Sequence, residues 1–345
     1  MTTNAPDIKR TSAAPSSGTF SLQDGAGRQI DYIRLSLTDR CNFRCMYCMP
    51  PEGQPFINHD KIVTYEELLR LTRIFASLGI CRYKVTGGEP FCRKGAANFL
   101  RELAHMDGVR MVTVTTNGAL VEEHLETLAE AGVSTVTFSC DAFTDEVFKR
   151  ISRADGKMAH TRRVMERAAR FGMRVKINTV PLRGYNEDDL IPLARYALEQ
   201  GFQIRFIELM PVGSAKALEG IPLADVFALM EKTFGPFHSA AQKMGNGPAV
   251  VYEIGKGGGY IGFIAAMTNK FCATCNRVRL TSTGFFKTCL CHDVGVDLKA
   301  VMRNGAGDKE LANIITAAVR NKPEGHSFSF APSREDGFFM HSIGG

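Results

Sequence analysis

Six short runs rich in β-branched and aromatic residues recur through the first 210 residues, and segments with helical spacing separate them. The runs are Tyr32–Leu37, Tyr83–Thr86, Met111–Thr116, Val133–Ser139, Arg174–Val180 and Gln203–Glu208. Between them, Thr64–Leu78 opens on an N-cap threonine and places Leu68, Leu71, Ile74, Phe75 and Leu78 on one face. Gly95–His105, Val121–Ala131, His160–Phe171 and Asp188–Gln200 carry the same period. Gly79, Gly132, Gly172 and Gly201 follow the last turns, as residues that end helices do. Strands alternating with helices predict a parallel sheet with helices outside. Six units fall short of the eight that close a full barrel, so the expected fold is a curved, incomplete (β/α)6 barrel of the TIM type.

The rhythm breaks twice. Roughly twenty-five residues, Thr38 to Val63, separate the first run from its helix, and a loop that long inside a compact domain is usually functional. After Met210 the alternation fades and glycines accumulate at Gly245, Gly247, Gly255 and Gly257–Gly259. The expected organisation is therefore a barrel over 23–210 and a C-terminal α+β domain over 211–345. Residues 1–22, rich in Ser, Thr, Ala and Pro, read as a disordered leader. The chain has no run of 18 apolar residues and its start lacks the apolar core of a secretion signal, so neither a membrane span nor export is expected. The expected location is the cytoplasm.

Both breaks carry cysteines. Seven of the ten fall in two groups, Cys41/Cys45/Cys48 and Cys272/Cys275/Cys289/Cys291, while Cys81, Cys92 and Cys140 stand apart. Such grouping in a reducing compartment reads as metal binding rather than as a disulfide framework. Cys81 and Cys140 lie among apolar residues and are expected in the core. The first group has no close fourth ligand, His59 being the nearest candidate. Three thiolates suit a [4Fe–4S] cube with one open iron better than a closed zinc site. The second group leaves zinc open, because Cys291 or His292 could complete a tetrahedron. Beside it, Arg277 and Arg279 alternate along an extended segment and so share a side, where paired guanidiniums suit phosphate. The net charge of +6 fits an ordinary solvated surface or a site for an anion such as a nucleoside triphosphate.

The segment Leu35–Pro50 contains CxxxCxxC with Tyr47 before the last cysteine, and it resembles the cluster loop of the radical S-adenosylmethionine (SAM) superfamily. The resemblance implies that Cys41, Cys45 and Cys48 hold a [4Fe–4S] cluster whose open iron is chelated by SAM, which is cleaved to a 5′-deoxyadenosyl radical. It assigns Tyr47, Gly88, Ser139 and Met210 to SAM. In Thr86-Gly87-Gly88-Glu89-Pro90, the paired glycines let a ligand approach the backbone, and Glu89 can accept from the amino group of SAM.

Over nearly the whole chain from Gly27, the sequence resembles one branch of that superfamily, the GTP 3′,8-cyclases that open molybdenum-cofactor biosynthesis. Phe271–Leu280 (FCATCNRVRL) and the final Gly344-Gly345 carry the likeness. It implies a second [4Fe–4S] cluster on Cys272, Cys275 and Cys289, with GTP bound by Arg34, Lys84, Thr115, Lys176, Arg277, Val278 and Arg279. The terminal Gly344 and Gly345 would enter the active site and be needed for reaction. The implied product, 3′,8-cyclo-7,8-dihydro-GTP, would pass to a cyclic pyranopterin monophosphate synthase. The electron donor is open, as is the choice between monomer and homodimer. A peptide-modifying radical SAM maturase shares the first motif but has no use for Arg277, Arg279 or the double glycine. A non-catalytic zinc or iron–sulfur protein acting on nucleic acid would need an aromatic-interleaved basic patch, which the sequence lacks.

Overall fold

Six strands form where the six runs stand: β1 (Tyr32–Ser36), β2 (Arg82–Thr86), β3 (Met111–Thr116), β4 (Thr135–Ser139), β5 (Arg174–Thr179) and β6 (Gln203–Ile207). They lie in sequence order, each parallel to the next, in this computed structural model, which describes residues 21–240, 245, 247–255, 259–330 and 340. Helices α1 (Tyr65–Ser77), α2 (Ala96–Ala104), α3 (Leu125–Glu130), α4 (Asp145–Ser152), α5 (Met158–Arg170) and α6 (Leu190–Glu199) fill the connections. Strands buried on both faces are near-continuous apolar runs, which is why composition exposed them.

Local signals set the boundaries. Thr64 caps α1, its hydroxyl accepting from Glu67 N at 3.2 Å while Glu67 accepts from Thr64 N at 2.8 Å. Gly79 and Gly132 close α1 and α3 at φ +98° and +82°, which L side chains rarely adopt. Helix α4 is absent from the sequence expectations; it has eight residues, and its start is fixed by the Thr144 hydroxyl accepting from Val147 N. Cys140 is buried as expected, whereas Cys81 is only half-buried just before β2. Residues 1–20 of the expected leader lie outside the described residues, but Leu22 is buried and its carbonyl accepts from Ile30 N.

After Met210 come α7 (Leu223–Phe234), β7 (Phe237–Ser239), β8 (Val250–Ile254), β9 (Tyr260–Ile264), β10 (Arg277–Leu280), β11 (Phe285–Lys287), β12 (Gly295–Asp297), α8 (Leu298–Arg303) and α9 (Asp308–Arg320). These strands build no separate sheet. β9 runs parallel to β6, and β7 and β8 extend that edge antiparallel. β10 runs parallel to β1, with β11 and β12 antiparallel beyond it. The C-terminal residues thus flank the open barrel on both edges, within one sheet of 12 strands. No helix among the described residues is long and apolar enough to cross a membrane.

Candidate active site

The first cysteine loop leaves β1 and folds back over the end of β2. Gly88 N donates to Thr38 O at 2.7 Å, and Glu89 N to Arg40 O at 2.8 Å. A Cβ on Gly88 would stand 2.4 Å from Arg40 O, and one on Gly87 2.7 Å from Thr38 O. The paired glycines therefore admit the cysteine loop itself. Helix α4 holds the loop from the other side, Arg44 N and Met46 N donating to Ser152 O and Ile151 O. Phe43 N and Asn117 Nδ2 point at Cys41 Sγ, at 3.4 and 3.8 Å. Tyr47 Oη donates to Asp141 Oδ2 at 2.7 Å.

Glu89 turns away from this opening. It is fully buried, and its carboxylate accepts from Thr116 Oγ1 (2.8 Å), Asn117 N (2.7 Å) and Phe91 N (3.3 Å). Burial pushes it up to about 7 against the pull of those donors. The structure gives Glu89 the task of tying the β2 turn to the end of β3, whereas its motif suggests a carboxylate that accepts from the amino group of SAM.

The second group is built on the far side of β1. Cys272 and Cys275 precede β10 and Cys289 follows β11. In the parallel pairing Arg279 lies beside Arg34, and Arg34 beside Lys84. Arg277 Nη2 donates to Cys275 Sγ at 3.5 Å. Burial raises the Cys275 thiol, but Arg277, Lys322 and hydrogen bonds from Arg277 outweigh it and hold the thiol below its ordinary value. Strand alternation points Arg277 and Arg279 inward and turns Val278 into the core, with 1% exposed.

Both cysteine groups open onto a single cavity of about 340 Å³. Cys41, Cys45, Cys48, Cys272, Cys275, Cys289 and Cys291 line it, together with Tyr47, Gly88, Thr115, Ser139 and Met210. Among the described residues its wall carries Arg34, Lys84, Arg174, Lys176, Arg205, Arg277, Arg279 and Lys322, against the carboxylates of Asp141 and Glu208 alone. Glu89 and Val278 are not in that wall. Gly344 and Gly345 lie outside the described residues, while Met340 lines the cavity. Three thiols in the first group and four in the second, with N–H donors aimed at the sulfurs of Cys41 and Cys275, supply the donors and outer hydrogen bonding that suit a [4Fe–4S] cluster at each.

Sequence reasoning missed Arg205 on β6, whose Nη2 shares Thr137 Oγ1 with Lys84 Nζ at 3.4 and 3.3 Å. A basic residue alternating inward within an apolar strand was its available signal. The crowding has an electrostatic cost. Burial, then Arg205, Arg34 and Lys176, hold Lys84 well below its usual value, and burial, then Arg205 and Arg174, bring Lys176 down to about 7. A lysine lowered in the folded state is protonated more fully in the unfolded chain, so folding stability rises with pH between about 7 and 10.5. A triphosphate favours the ammonium, so its affinity falls over the same rise. Lys176→Met is expected to flatten both slopes, in thermal melts and in calorimetric titrations at pH 7 and pH 9.

Comparison with known proteins places the chain in a family. Residues 35–197 match the family model of the Radical SAM superfamily, and residues 202–328 match Molybdenum Cofactor Synthesis C. The chain is 38% identical over 324 residues to the GTP 3′,8-cyclase of Clostridium perfringens (strain 13 / Type A), covering 94% of this chain and 100% of that one. It is 39% identical over 308 residues to the GTP 3′,8-cyclase of Moorella thermoacetica, covering 88% and 95%. Among solved structures, Streptococcus suis SuiB superposes with a TM-score of 0.57 at 14% identity, covering 86% of this chain and 68% of that one, a likeness of fold.

Proposed function

The chain belongs to the GTP 3′,8-cyclase family of the radical SAM superfamily, and from that premise we propose how its cavity divides the work. The protein is a radical SAM enzyme with two [4Fe–4S] clusters that converts GTP to 3′,8-cyclo-7,8-dihydro-GTP in molybdenum-cofactor biosynthesis. Cys41, Cys45 and Cys48 hold the first cluster, with Tyr47, Gly88, Ser139 and Met210 around SAM. Cys272, Cys275 and Cys289 hold the second. Together, the first cluster and SAM supply hydrogen-abstracting radical chemistry at C3′ of GTP.

The chain's own residues do the positioning. Arg34, Lys84, Lys176, Arg205, Arg277 and Arg279 surround the triphosphate, and Thr115 offers a hydroxyl from β3. C3′ and C8 belong to one nucleotide, so fixing it between the two cysteine groups helps by holding sugar and base in the orientation that brings those two atoms together. We assign residues 23–210 to the barrel domain and 211–345 to the second domain. The tail ending in Gly344-Gly345 closes the cavity against water, a reading supported by Met340 in its wall. We place the protein in the cytoplasm, whose reducing conditions suit its thiolates, with a cyclic pyranopterin monophosphate synthase taking the product.

The observation that carries this reading is the shared cavity: both cysteine groups and the cations line one space. Anaerobic incubation with GTP, SAM and a strong reductant tests it. Ring closure takes one hydrogen from C3′ and one is added at N7, so the product is an isomer of GTP. Chromatography and fragmentation therefore identify it where intact mass does not. SAM cleavage that leaves GTP unchanged would sink the assignment. A peptide substrate in place of GTP is expected to give no product.

A further inference from the structure

Cys272, Cys275 and Cys289 sit on turns that neighbouring strands alone do not fix, and two buried cations join those turns. Lys322, 6% exposed just past α9, donates from Nζ to Arg277 O at 3.0 Å and to Thr288 O. Those carbonyls lie two residues after Cys275 and one before Cys289. Arg28, 9% exposed, is paired with Asp24 at 2.6 Å. It donates to Cys272 O (2.8 Å), Pro323 O (2.7 Å) and Glu324 O (2.9 Å). The two cations thus touch every ligand-bearing turn and the root of the C-terminal tail.

A buried ammonium is costly unless dipoles and opposite charge surround it. Two carbonyls meet part of that need, while Arg28 and Arg277 repel the ammonium. Arg277 and Thr288 belong to the segments that carry Cys275 and Cys289, so the ammonium ties those two ligand-bearing turns to each other.

We propose that Lys322 is a positioning residue of the second cluster, setting the Cys275 and Cys289 turns in fixed mutual placement, while Arg28 aligns Cys272 and the tail root. This rests on the reading that those three cysteines ligate the second cluster. The test uses the full chain, reconstituted anaerobically, with iron counted before and after mild chelation and each cluster titrated by EPR. Wild type is expected to keep about eight irons. Lys322→Met is expected to fall to about four, losing the second cluster's signal and keeping the first's. Any second cluster that Lys322→Met retains should titrate at a lower potential, since a nearby positive charge has gone. Lys322→Arg should restore both iron and potential. Loss of both clusters alike in Lys322→Met, an unmoved second potential, or a Lys322→Arg chain as iron-poor as Lys322→Met would each overturn the proposal. A wild-type chain with only four irons would instead overturn the cluster assignment, and this inference with it.

Discussion

Gly88→Ala is expected to strip the first cysteine loop of its iron and to lower SAM cleavage by about a hundredfold or more. The cause is local. The new methyl would stand 2.4 Å from Arg40 O and 2.8 Å from Asp39 O, both backbone atoms with no rotamer to move. Relief requires the loop to lift from the end of β2, breaking the bonds from Gly88 N to Thr38 O and from Glu89 N to Arg40 O. Overpacking of this kind costs about 1–3 kcal/mol. The strain falls on the loop because Glu89, on the β2 side, is locked by Thr116 and Asn117. The fold and the second cluster are expected to persist, so iron should fall by about half. Anaerobic iron counts and 5′-deoxyadenosine release check this, and a fully loaded, wild-type-rate variant would refute it.

Lys84→Met is expected to act with opposite signs on stability and on binding. Lys84 is 7% exposed, and its ammonium has one hydroxyl partner, Thr137 Oγ1 at 3.3 Å. Arg205, Arg34 and Lys176 all repel it. An apolar side chain of similar length removes that repulsion and the desolvation of the charge, so the nucleotide-free protein should melt higher, by on the order of 1 kcal/mol in stability. GTP loses a charge-assisted hydrogen bond worth about 1.5–3 kcal/mol. Its Kd should therefore rise roughly tenfold to 150-fold. Calorimetric titration and thermal melts, on samples of equal iron content, measure the two effects. A lower melting temperature, or an unchanged Kd, would contradict the picture of a cavity strained by its own cations.

The repeating part of the molecule was readable because its signals are local. All six barrel strands and five of the helices follow from runs and periods lying within a few residues, and Met111–Thr116 matches to the residue. Helix α4 escaped because two turns carry too little periodic pattern. The edges of the sheet escaped for another reason. β10 joins β1, and β9 joins β6, through partners distant in sequence, and no local window contains that pairing. The site divides the same way. Arg277 and Arg279 betray their shared face by alternation, and the cysteines betray theirs by spacing. Glu89 could not be read, because its direction depends on donors from β3 that only the fold brings near. Arg28 and Lys322 were invisible likewise, since each acts on carbonyls hundreds of positions or several elements away.

The continuous sheet has a consequence for how the chain is made. β1 is synthesised early, yet its outer edge is covered only by β10, where Tyr32 pairs with Arg277. At roughly 5–20 residues per second, a ribosome leaves that edge bare for on the order of ten seconds to a minute. An unpaired strand edge is a template for association with other chains. Folding on the ribosome must therefore wait for the far end of the polypeptide, and the first strand to emerge is among the last to be sheltered.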